Sequence, residues 1–225
     1  MVVVSEHDRR RLGAPHVHVI PNGYAYQEQP VGRLAVGPTP VIMIPGQFTY
    51  RPNVDAARSF VSQILPLLQR RLPAVQVRLV GHAGPAVQQL HRMPTVTVTG
   101  WIPDITKELA SADLIAVPIR FGGGSRIKIL EAFAHRIPVV STPAGVEGIE
   151  ARDGRELLVA ETVTDFAAAC LSLLSDLEGR RTLVEAAHAL FLERYRWDRI
   201  QEQIAALAAL VAADGKQARP AATEA

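Results

Sequence analysis

Three consecutive glycines, Gly122, Gly123 and Gly124, are followed at once by Ser125, Arg126 and Lys128 in the stretch IRFGGGSRIKILEAFAHRIPVVST. Glycines let backbone N–H groups approach an anion closely, and a helix that begins just behind them adds the partial positive charge of its N-terminus. That dipole contributes only about 0.3–1 kcal/mol, and up to about 2 when partly buried, so phosphate binding would also rest on Arg126 and Lys128. Gly124, Lys128, Glu131 and His135 follow at intervals of 4, 3 and 4 and share one narrow helical face. Ile127, Leu130 and Ala134 lie on a broader apolar one. A cation one turn into the helix and a carboxylate two turns in suit a nucleoside diphosphate, with Lys128 at the phosphates and Glu131 accepting from ribose hydroxyls. The alternative is a solvated i,i+3 pair. Arg126 falls nearer the apolar side, from which it either reaches the loop or snorkels to solvent.

Two better-known phosphate motifs do not fit. GGGSRIK departs from G-x-x-x-x-G-K-[ST], and a dinucleotide fingerprint G-x-G-x-x-G would need a third glycine where Ile127 stands.

The elements that must position this loop are regular from residue 41 onward. VIMIPG, VQVRLVG, VTVTG, LIAVPI, PVVST and ELLVA are short apolar runs, and helical patterns separate most of them. One helix carries Val54, Ala57, Phe60, Val61, Ile64, Leu67 and Leu68 at helical spacing, with Pro66 predicting a kink or break. Alternating strands and helices argue for a doubly wound α/β domain over about 38–195, its parallel sheet covered on both faces. Ligands of such sheets bind outside the carboxyl ends of the strands, and the glycine loop follows LIAVP at one of them. Three helices, at about 163–175, 178–194 and 197–213, close the chain. Before the regular region, MVVV and PHVHVIPNG read as strands flanking a short polar helix capped by Ser5, and residues 24–40 carry no sustained period.

Composition excludes several classes. The chain has 225 residues, 48% hydrophobic and 20% charged, with a formal net charge of +2. That charge is too small to argue for nucleic acid, and no basic stripe with interleaved aromatics is present. The single cysteine, Cys170, rules out a disulfide framework and predicts a reducing, cytoplasmic setting, with peripheral attachment to a membrane left open. No apolar run reaches the roughly 18 residues of a membrane span, and MVVVSEHDRRR is no signal peptide. His16 and His18 share a strand face without a third ligand, so no metal site is expected.

From VIMIPGQFTYRPNVDAA through GWIPDI, SADLIAVPIRFGGGSRIKILEAFAHRIPVVST and GVEGI to RYRWDRI, the chain resembles the C-terminal, donor-binding domain of the GT-B retaining glycosyltransferases of family 4. The resemblance implies a Rossmann-like half of a GT-B fold that takes a nucleotide sugar as co-substrate, with no other cofactor and no metal. In the family's E-x7-E pattern Glu131 matches the second glutamate, at the ribose. The first falls at Gly123, and triple-glycine variants of this loop are familiar in one branch of the family. Gly122, Gly123, Gly124, Ser125, Arg126 and Lys128 would hold the diphosphate. Gln47 and Arg51 stand near the family's Arg and Lys after the first strand, which makes Arg51 and Lys128 the expected catalytic cations. Trp101 and Ile102 match the stretch lining the base pocket; His82, at another strand's carboxyl end, either borders the donor or is a plain loop histidine.

The same resemblance divides the chain. Residues 1–23 look like the closing strand, helix and strand of the family's N-terminal domain, and 24–40 like the interdomain linker. The donor domain spans 41–195, residues 196–213 form a helix expected to cross back to the first domain, and 214–225 form a disordered tail. The chain is then expected to need a missing N-terminal half or a partner chain, which carries most of the acceptor site. A non-catalytic nucleotide-sugar-binding module, or a fragment of a GT-B epimerase, would share the same pocket.

Overall fold

The computed structural model describes residues 1–124 and 126–217. Two short strands, β1 (Val2–Val3) and β2 (His18–Val19), pair in parallel around helix α1 (Glu6–Leu12). Ser5 Oγ accepts from the Asp8 N–H at 3.1 Å, and the left-handed Gly13 ends the helix. After residues that form neither helix nor strand, the main domain begins with β3 (Val41–Pro45). Its helix runs as α2 (Arg51–Ser59), a π-helical turn (Phe60–Ile64) and α3 (Leu65–Gln69). The kink or break expected at Pro66 takes the form of a wide turn: Leu65 N–H reaches back five residues to Phe60 O, just before the residue that has no N–H to give.

The chain continues through β4 (Gln76–Val80), α4 (Pro85–Gln88), β5 (Val96–Gly100), α5 (Thr106–Ser111), β6 (Leu114–Val117) and α6 (Ile127–Ala134). It closes with β7 (Val139–Ser141), α7 (Pro143–Val146), β8 (Leu158–Val159), α8 (Val163–Ser175), α9 (Leu177–Arg194) and α10 (Trp197–Gln217). The sequence pattern had not suggested the single-turn helix α7. Helix α10 runs four residues past its expected end; the rest of the tail lies outside the described residues.

Six parallel strands lie in the order β5-β4-β3-β6-β7-β8. Side chains alternate across them, so Ile42 and Ile44 enter one core with Phe60, Leu65, Phe166 and Cys170 of the helices above. Met43, Ile115, Val117 and Val139 enter the other, beneath α5, α6 and α9. Both faces are covered, which is why the strands read as continuous apolar runs. No described helix is long and apolar enough to cross a membrane.

Residues 25–40 are pinned despite their lack of period. Arg33 pairs with the fully buried Asp113 at 2.9 Å, and Arg180 donates to Arg33 O at 2.8 Å. This fastens the segment at the end of the sheet away from the glycine loop.

Candidate functional site

The strand order reverses between β3 and β6, so the loops leaving their carboxyl ends diverge and open a crevice. On one side the exits of β3 and β4 are pressed together. Gly81 sits at φ +133, and a Cβ there would fall 2.1 Å from Gly46 O, so only glycine permits the approach. Gly46 and Gln47, Gly81 and His82, Trp101 and Ile105 line an open cavity of about 480 Å³ together with Lys128 and Glu131 of α6.

Lys128 is half-buried, and its Nζ donates to Asn53 Oδ1 at 3.1 Å. Asn53 is held in turn by donating to Gln47 O at 3.0 Å. Burial lowers the ammonium pKa to about 8, Arg126 adds to the effect, and Glu131 opposes it. Among the described residues no carboxylate forms an ion pair with Lys128. Glu131 accepts from the Tyr24 hydroxyl at 2.9 Å. Burial pushes the Glu131 carboxyl above its usual range, while Tyr24 and Lys128 pull it back. Trp101 stands at the rim with 72% of its surface exposed, whereas Ile102 turns inward against the core beneath α5 and α6.

Of the two courses open to it, Arg126 takes the one to the loop. It is 5% exposed, and its guanidinium turns back onto Gly122 O and Ala144 O, both at 2.8 Å, with Gly123 O at 3.4 Å. Tyr50 OH also donates to Gly123 O at 3.4 Å, tying the β3 exit loop to the glycine loop across the crevice. Gly123, Gly124 and Arg126 line a second cavity of about 280 Å³, facing His7, Asp8 and Arg11 of α1 and Tyr195. His7 and Glu147 pair at 2.6 Å on its wall.

The expected residues therefore fall into two groups. Lys128, Glu131 and Trp101 share the larger cavity with Gln47 and His82; Gly123, Gly124 and Arg126 share the smaller one. Gly122 packs against Pro52 and Tyr50, and Arg51 is exposed at the start of α2, where it acts on Asp55 through space. Ser125 lies outside the described residues. Ile127, assigned to the apolar face, is 43% exposed at the first position of α6. His135 is buried edge-on to Tyr24, with ring centroids 6.2 Å apart. Tyr24 and Asn53 were not foreseen. Asn53 had a usable signal, its place in the first turn after a strand's carboxyl end; Tyr24 had none, lying where the pattern fades into the linker.

A doubly wound parallel sheet with this strand order and a crevice at its switch point is the Rossmann-like half of a GT-B glycosyltransferase fold. A family model described as "Glycosyl transferases group 1" matches residues 39–176, and the chain belongs to that family. Among solved structures, a mutant of S. aureus TarM in complex with fondaparinux, alpha-GlcNAc-glycerol and UDP superposes with a TM-score of 0.74 at 16% identity. That match covers 92% of this chain and 43% of TarM. Anabaena HepE in complex with UDP and glucose gives 0.74 at 20% identity, covering 92% and 62%. Sucrose-phosphate synthase from Thermosynechococcus elongatus gives 0.74 at 19%, covering 95% and 58%. The chain thus spans between 43% and 62% of the length of these proteins. No curated protein matches it.

Proposed function

We propose that this chain is the donor half of a glycosyltransferase, binding a nucleotide-diphosphate sugar in the larger cavity for transfer to an acceptor with retention of configuration. One observation carries the reading: Lys128 and Glu131, one turn apart on α6, enter a single cavity at the switch point of the sheet. A diphosphate beside Lys128 would also meet the first turn of α6, where the N-cap residue Arg126 makes no side-chain capping bond. Glu131 would accept from the ribose, and Trp101 offers an indole face to a base. When the sugar leaves, negative charge grows on the diphosphate, and fixed cations aimed at it lower the barrier. Lys128 would supply that charge directly, Arg51 would add to it at longer range from the start of α2, and Arg126 acts by holding the carbonyls of the glycine loop. The nucleotide sugar is a co-substrate, and the reading calls for no separate cofactor and no metal. UDP is the first nucleotide to try, because TarM and HepE were solved with it.

The acceptor side would come from a further half or a partner chain. Two observations support this. A two-stranded sheet such as β1–β2 is too small to stand alone, and Val2, Ile204 and Val211 beside it are 51%, 45% and 63% exposed. The buried thiol of Cys170 suits a reducing cytoplasm.

Calorimetric titration with UDP and GDP tests the site. The wild type should bind one of them, and Lys128→Ala and Glu131→Ala should each weaken binding by about tenfold or more, the worth of a lost charge-assisted hydrogen bond. No binding by the wild type, or unchanged affinity in both variants, would sink the assignment.

A further inference from the structure

Tyr24 reaches Glu131 from 107 residues away, and its backbone is fixed before its side chain begins. Its N–H donates to Tyr195 O and its carbonyl accepts from Trp197 N–H, both at 2.9 Å, where the chain passes from α9 to α10. The preceding Gly23 lies so close to α10 that a Cβ there would stand 2.9 Å from both Ile200 and Trp197. The ring rests edge-on against the buried His135 and packs on the core under α6. The hydroxyl is thus delivered to Oε1 of Glu131 at 2.9 Å by a rigid frame.

A glutamate carboxylate turns freely about its last torsion, which is broad and nearly two-fold. One hydrogen bond from a fixed donor sets its plane. Tyrosine does so as a neutral donor, so the carboxylate keeps its charge and its remaining acceptor sites. Among the described residues nothing hydrogen-bonds the second oxygen, and Glu131 lines the cavity.

We infer that Tyr24 is a positioning residue of this site, holding one oxygen of Glu131 so that the other meets a ribose hydroxyl and the site distinguishes ribonucleotides from their deoxy forms. The inference rests on the nucleotide-binding reading above. It assigns Tyr24 a part in donor selection although the residue belongs to the segment where the chain crosses between its two regions.

The test is calorimetric titration of the full chain with whichever of UDP and GDP binds, and with its 2′-deoxy and 3′-deoxy forms. Wild type should prefer the ribonucleotide over one deoxy form by about tenfold, as one hydrogen bond to a charged group allows. In Tyr24→Phe, which keeps the ring packing, the preference should fall below about threefold while affinity for that deoxy form stays the same. Tyr24→Phe introduced into Glu131→Ala should change nothing further. An undiminished preference in Tyr24→Phe overturns the role of Tyr24 and leaves the nucleotide site standing. Equal weakening of both forms assigns Tyr24 to packing alone and also overturns it. A wild type that binds no nucleotide overturns the site reading itself, and this inference with it.

Discussion

Arg126 and Lys128 carry the same charge two residues apart, yet they belong to differently built regions. Arg126 serves the glycine loop: its planar fork is buried, and three main-chain carbonyls accept from it. Lys128 serves the cavity, where one side-chain oxygen accepts from its compact head. Burial lowers the pKa of both, and the lysine's falls to about 8. The difference teaches how to sort cations near a supposed anion site. A buried guanidinium whose terminal nitrogens donate to the protein's own carbonyls builds the loop; a half-buried ammonium with little to hold is available to a ligand.

The sharpest way to break this comparison is Arg126→Ala. It leaves Gly122 O, Gly123 O and Ala144 O without their shared donor and opens a hole beneath the loop, so stability should drop by about 3 kcal/mol. Urea unfolding measures this directly. A cost below about 1 kcal/mol would mean that Arg126 is not structural and would return it to the list of phosphate ligands.

How much of this was legible beforehand follows from the range over which each feature is determined. The central strands of the main sheet were readable because both faces are buried, which makes β3 and β6 continuous apolar runs. The cap of α1 was readable, since Ser5 acts within three residues of itself; the matching cap of α8, Thr162, was not singled out. Lys128 and Glu131 shared a face by helical geometry alone. The role of Arg126 was left open between loop and solvent, because sequence spacing gives a direction along the helix but not what lies at its end; Ala144 comes 18 positions later. Tyr24 was invisible for a stronger reason. Its meeting with Glu131 depends on where α9 turns into α10, a relation among three distant segments that no local period encodes.

Lys128→Met sharpens the comparison from the other side, because its effect on stability should have the opposite sign. The folded ammonium has a pKa of about 8 against an ordinary 10.5, so between these values the unfolded chain binds more protons and stability rises with pH. Below about pH 8 the buried charge opposes folding, and removing it should stabilise the protein at pH 7 by on the order of 1–3 kcal/mol. Nucleotide binding should move the other way, lost in the variant and weakening in the wild type as pH rises through about 8 and the free ammonium loses its proton. Unfolding at pH 7 and pH 10, with titrations at matched pH, checks both. A variant less stable than wild type at pH 7 would show that Lys128 is held by the fold as firmly as Arg126.

The smallest expected effect separates two neighbours inside the loop. Gly122 has φ +98, and a Cβ there would lie 2.6 Å from Pro52 Cγ, a ring atom that cannot swing aside. Gly122→Ala should therefore cost about 1–2 kcal/mol through backbone strain and displacement of the start of α2. At Gly123 a Cβ would meet nothing within 4 Å and φ is not in the left-handed region, so Gly123→Ala should stay within about 0.5 kcal/mol of wild type. The same open space means that Gly123→Glu should fold normally, with its carboxylate beside the smaller cavity. Paired unfolding curves for the three variants decide the matter. Equal losses at 122 and 123 would show that the loop is constrained along its whole length, and that Gly123 is glycine for the backbone's sake rather than because no side chain is needed there.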